Sequence, residues 1–187
     1  MRTRAIALGA AAALALSGCS MLGGDDEGAD ASSSQTSGVV TGNPDENGAK
    51  TAGIDLENPP AAIAEATLNV DRDAIEETKI ELLELRRDDN VMLATFRLTG
   101  SGRGTEKASG YDLLGNSSFA PGFIDMKNLE KYRHVEDLSS DEVDASAPLG
   151  QPVYLFTAFP LPRDGVTAMD LRVTSESPAI EDVPMPQ

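Results

Sequence analysis

The chain has 187 residues, 40% of them hydrophobic and 25% charged, and 31 acidic against 15 basic side chains leave a net charge of -16. That length gives one ordinary domain plus a tail, and the charge has the wrong sign for holding a phosphate backbone, which excludes nucleic acid as a partner. A single Cys and a single His exclude a disulfide framework and any zinc or haem site built from several soft or imidazole ligands, and no cofactor is expected.

Arg2 and Arg4 give the chain a positive start, and Ala5 to Leu16 is a nearly unbroken apolar run of 12 residues. A helix of that length falls short of the roughly 30 Å hydrocarbon core, so the segment reads as a signal peptide over residues 1–18. Thr3 separates the two arginines, which favours general secretion over the twin-arginine route. The run ends in Leu16-Ser17-Gly18-Cys19, which resembles the lipobox of bacterial lipoproteins. The resemblance implies cleavage behind Gly18, lipidation of the Cys19 thiol, and attachment of the protein to the extracytoplasmic face of the cell membrane through the acyl chains on Cys19. Two or more chains, each contributing about 0.8 kcal/mol per buried CH₂, make such attachment stable.

Residues 19–60 are rich in Gly, Ser, Asp, Ala, Thr and Asn, with runs such as Gly23-Gly24-Asp25-Asp26-Glu27 and Ala31-Ser32-Ser33-Ser34. Composition of this kind buries too little surface to offset ordering entropy, so the segment is expected to be a disordered acidic tether, holding the domain off the membrane.

Residues 61–187 carry every aromatic side chain of the chain and are expected to form one domain, mainly β. Apolar runs near 66–70, 79–87, 91–99, 111–114, 122–126, 131–135, 152–159 and 167–173 give about seven or eight strands. Between 73 and 85, helix propensity competes with a strand bulged at Leu82-Leu83; the turn residues Asp88-Asp89-Asn90 favour a strand from about Lys79 and a hairpin into the next one. Met92, Ala94, Phe96 and Leu98 alternate with Leu93, Thr95, Arg97 and Thr99, the period of a half-buried strand. Val153 to Phe159 is apolar on both faces, which suits a central strand; Pro160 to Gly165 then leads to a strand in which Met169, Leu171 and Val173 alternate with polar residues. Phe96, Leu155, Phe156 and Leu171 are expected inside.

Phe123-Ile124-Asp125-Met126 with Lys131-Tyr132, Phe156 to Pro162 with Val166-Thr167, and Ile180 to Met185 resemble the Ig-like domain of uncharacterised actinobacterial envelope lipoproteins, over roughly residues 78–185. The resemblance implies an Ig-like β-sandwich. In that group an OmpA-like peptidoglycan-binding domain often follows; the chain ends at Gln187, so wall anchoring is not part of the expectation.

Sharper chemistry finds little support. His134 is the one imidazole base and no G-x-S-x-G elbow accompanies it, so no catalytic residue is assigned and the protein is expected not to be an enzyme. Gly100-Ser101-Gly102-Arg103-Gly104 has neither a helix start nor a Lys-Ser/Thr pair behind it, and reads as a loop between strands. Asn69, Asp71, Asp73, Glu76 and Glu77 imitate the start of a calcium loop, but Ala74 stands where its Gly belongs and Ile80 where its closing Glu belongs, so no metal ligand is assigned. Two readings remain: a non-enzymatic Ig-like module that binds or scaffolds an extracytoplasmic protein partner, and a lipoprotein that captures a small cationic solute or calcium.

Overall fold

The computed structural model describes residues 43–187 apart from Asp73. The signal segment, Cys19 and the tether as far as residue 42 lie outside the described residues. The domain is mainly β, with ten strands: β1 (Ala64–Arg72), β2 (Ile75–Asp88), β3 (Val91–Gly102), β4 (Lys107–Ser109), β5 (Gly122–Asp125), β6 (Glu130–Arg133), β7 (Ser146–Pro148), β8 (Pro152–Pro160), β9 (Ala168–Arg172) and β10 (Ile180–Pro184). Antiparallel pairing gives one four-stranded sheet in the order β1-β2-β3-β8, a second in the order β10-β9-β5-β6, and a β4-β7 pair. Both larger sheets contribute to one core, in which Phe123 of β5 meets Phe159 of β8 edge-on with ring centroids 4.9 Å apart.

The contested stretch is strand, beginning at Ile75 and so four residues before the sequence signal at Lys79. Its pairing with β3 slips between Leu82 and Glu84, leaving Leu83 as the extra residue. The bulge solves a patterning problem. Strict alternation would send Glu84 inward; instead Leu83 joins a small cluster on the outer face and Leu85, opposite Ala94, returns to the core side. The Asp88-Asp89-Asn90 signal closes the β2–β3 hairpin as expected, with Asp89 taking a φ of 48° that aspartate tolerates better than most residues. β3 buries Met92, Ala94, Phe96 and Leu98, in the expected phase, and runs on through Gly100 and Ser101 to Gly102, so the first three residues of the glycine-rich run are strand.

Further assignments from sequence need correcting. The run 111–114 is not a strand: Gly110–Leu113 is a four-residue helix, α1, which carries Leu113 and the following Leu114 into the core. The local reason is a capping box, in which the Ser109 N–H donates to Asp112 Oδ2 (2.8 Å) and the Asp112 N–H donates to Ser109 Oγ (3.2 Å). β8 is at the end of its sheet, not in the centre. Its free edge is met by loops: Tyr154 N–H donates to the Asn47 carbonyl (2.8 Å), while the N–H groups of Val135 and Ser140 donate to the carbonyls of Ala158 (2.8 Å) and Phe156 (2.9 Å). Phe156 shares the outward side of β8 with Tyr154, opposite Thr95, and is half-buried; the inward aromatic is Phe159. Phe96, Leu155 and Leu171 are fully buried. The three strands without a clear signal, β4, β7 and β10, are short, and β10 is interrupted by Asp182 at a φ of 54°.

Residues 43–60, assigned to the tether by composition, belong to the folded domain. They turn through several local hydrogen bonds and pack Ala49, Ala52, Ile54 and Leu56 against Leu83 and Tyr154 on the outer face of the first sheet. Small residues suit the place because the backbone lies close: a Cβ on Gly48, whose φ is +81°, would run into the Tyr154 carbonyl.

Candidate functional site

The outer face of the second sheet carries the most distinctive arrangement. Phe123 points into the core opposite Tyr132 on one neighbour and Leu171 on the other, so alternation turns Gly122 and Ile124 outward. Gly122 is directly paired with Arg133 of β6 and with Arg172 of β9. Strands 4.7–4.9 Å apart therefore set the two arginine Cα atoms about 10 Å from each other across a residue with no side chain. Lys131 lies over the same glycine, its Cε 3.2 Å from where a Cβ would be. The result is a cavity of about 300 Å³ lined by Lys131, Arg133, His134 and Arg172 together with hydroxyls including those of Ser118 and Thr174, and by no carboxylate. Arg172 is steered by a bond from Nη1 to the Ser177 carbonyl (3.3 Å). His134 Nδ1 lies 3.2 Å from the Pro121 carbonyl, which can only accept, so Nδ1 carries a proton.

At the other end of β5, the turn into β6 is built on Asp125. Its Oδ1 accepts the N–H groups of Lys127 and Asn128 (both 3.0 Å), and its Oδ2 accepts Asn128 Nδ2 (2.6 Å). The Asn128 bonds, chiefly, hold the carboxyl below the usual carboxylate range. This turn displays Met126 and Leu129, 64% and 84% exposed, with Leu129 at a φ of 55° that a branched side chain adopts only under constraint.

The first sheet's outer face is organised by charge. Glu65, Glu81, Arg97 and Tyr154 stand at one register level across its four strands. Arg97 grips Glu81 with Nε (2.6 Å) and Nη2 (2.9 Å), and Lys79 bridges Glu81 (3.0 Å) and Glu65 (2.9 Å). The bidentate arginine is the main cause that lowers the Glu81 pKa against the opposing effect of burial. A carboxylate whose folded pKa is depressed adds stability at pH above its ordinary value of 4.5, and that stability is lost as pH falls through the folded value. Glu81→Gln should therefore be less stable than the parent at pH 7, with the gap between their urea midpoints narrowing as the pH is lowered below 4.5; a gap that stays constant to pH 3 would remove this ion pair from the acid limb.

Of the residues singled out from sequence, Cys19 lies outside the described residues. Asn69, Asp71, Glu76 and Glu77 sit along the β1–β2 hairpin, where Glu76 pairs with Arg103 (3.2 Å). Among the described residues no group of three or more His, Cys, Asp and Glu gathers to hold a metal. The sequence reading passed over the groove. Lys131 and Arg133 do stand two apart on a strand signal, but nothing local shows that Arg172, some forty residues later, flanks the same glycine. No protein-family model, curated protein or solved structure matches the chain.

Proposed function

We propose that the protein is a lipid-anchored cell-envelope protein whose domain, a non-enzymatic Ig-like β-sandwich, binds or scaffolds an extracytoplasmic protein partner. In this reading the two four-stranded sheets are the layers of the sandwich, the Ig-like resemblance of residues 78–185 supplies the fold family, and acyl chains on Cys19 hold the protein at the outer side of the cell membrane. The observation that carries the partner is the β5–β6 turn: two large apolar side chains presented to solvent on a backbone locked by Asp125. Ordered, exposed apolar anchors are what a protein interface uses, because little entropy remains to be lost on contact.

Two measurements test it. With a photo-crosslinking residue at position 129, intact cells should yield a discrete adduct that is absent when the same residue stands at position 87 on the β2–β3 hairpin; the same adducts from both positions would remove the turn as the contact. For the anchor, Cys19→Ala should move the protein out of the membrane fraction and abolish incorporation of labelled fatty acid. Retention of the Cys19→Ala protein as tight as the parent's would overturn the lipid attachment.

A further inference from the structure

We propose that the groove over Gly122 binds a phosphate-type oxyanion, held between Arg133 and Arg172 with Lys131 above it. This assignment stands on the geometry of the second sheet and is independent of the anchor and of the protein partner.

The first ground is charge. With 31 acidic and 15 basic residues, carboxylates are plentiful on this surface, and seven of the thirteen described cations meet one: Lys50, Lys79, Arg86, Arg97, Arg103, Lys107 and Arg163. Of the six with no carboxylate within 4.0 Å among the described residues, Arg72, Arg87 and Lys127 lie outside the groove, whereas Lys131, Arg133 and Arg172 line one cavity that has no carboxylate in its lining. The three exposed cations make this groove locally positive on a protein of net charge -16, a field that favours an anion.

Shape is the second ground. Gly122 puts no side chain of its own between two arginines whose Cα atoms are about 10 Å apart, so only the end of Lys131 lies over the floor, and two arginine forks can close on one small anion from opposite sides. A planar carboxylate is satisfied by a single arginine fork. Two forks, an ammonium and neighbouring hydroxyls line the same cavity as donors, which suits the tetrahedral phosphate group, whether a doubly charged free phosphate or a singly charged phosphodiester. The volume of about 300 Å³ is at the small end of ligand cavities and fits a free phosphate or the phosphodiester of a lipid headgroup with its nearest substituents.

The test uses the full chain purified in detergent, titrated by calorimetry with inorganic phosphate and separately with glycerophosphoglycerol, a soluble phospholipid headgroup. Saturable binding of at least one is expected, weakened about tenfold or more in Arg133→Gln and in Arg172→Gln, and unchanged in Arg87→Gln on the β2–β3 hairpin. Tighter binding of phosphate identifies the free anion as the source, and tighter binding of the diester identifies the headgroup. Gly122→Val keeps every charge while filling the floor; a Cβ there comes 3.2 Å from Lys131 Cε and 3.5 Å from the Tyr132 carbonyl oxygen, so the end of Lys131 must shift, and binding should also fall about tenfold. Circular dichroism confirms that each variant is folded. The proposal is overturned if neither probe binds saturably, if the arginine variants bind as the parent does, or if Gly122→Val binds undiminished, since diffuse positive charge would then account for the affinity.

Discussion

Phe96→Ala is expected to cost about 3–5 kcal/mol of unfolding free energy, against roughly 1 kcal/mol for Phe156→Ala. The two phenylalanines lie on adjacent strands of the same sheet, and composition alone does not separate them. Phe96 is fully buried, faces Leu82 and Leu155 across its two strand pairings, and meets Phe119 edge-on at 5.4 Å with an interplanar angle of 81°. Removing its ring costs the transfer free energy, an aromatic contact and a cavity that rigid neighbours on both sides cannot collapse. Phe156 stands on the other side of its strand, half-buried opposite Thr95, so truncation exposes little that was not already partly wet. Urea unfolding of both variants at neutral pH, with the slope checked for constancy, measures the difference directly. Equal losses would mean that Phe156 is covered by something the sheet geometry does not provide. A domain with total stability of about 5–15 kcal/mol could lose most of it to the Phe96 change.

That contrast also shows where sequence was legible. The alternation of Met92, Ala94, Phe96 and Leu98 set both the strand and its buried side, because one side of β3 is apolar and the other is not. Val153 to Phe159 has no such contrast, so its period carried no phase, and Phe156 was placed inside in error. Double burial was legible there; its cause was not, since the outer cover is a loop rather than a neighbouring sheet strand. Leu82-Leu83 was readable as a bulge because two consecutive leucines break a period of two. Tyr111 to Leu114 looked like a short strand because four residues are too few to display a helical period, although the Ser109–Asp112 spacing was the available sign of a cap. The cationic groove was the least legible of all: its residues lie on three strands, and the decisive one, Gly122, contributes by having no side chain.

The second large effect concerns where the domain begins. A chain starting at residue 61, the boundary composition suggested, is expected to be less stable by about 3–6 kcal/mol than one starting at residue 37. The segment 43–60 covers Leu83 and Tyr154, 3% and 1% exposed, and re-exposing two large side chains costs about 1.5–3 kcal/mol each. Its loss also frees the Tyr154 N–H that donates to the Asn47 carbonyl, and uncovers part of the β8 edge. Water can take over that donor, so the apolar contribution should dominate. The ordering entropy of the segment is set against its own turn hydrogen bonds and the burial of its own Ala49, Ala52, Ile54 and Leu56. The comparison is a pair of urea titrations with the two fragments, and Leu83→Ala in the longer fragment provides an internal control. If the segment acts by covering that cluster, Leu83→Ala should destabilise the longer fragment clearly and the shorter one much less, because in the latter Leu83 is already exposed. Equal unfolding midpoints for the two fragments would return residues 43–60 to the tether and make their contacts with Leu83 and Tyr154 energetically neutral.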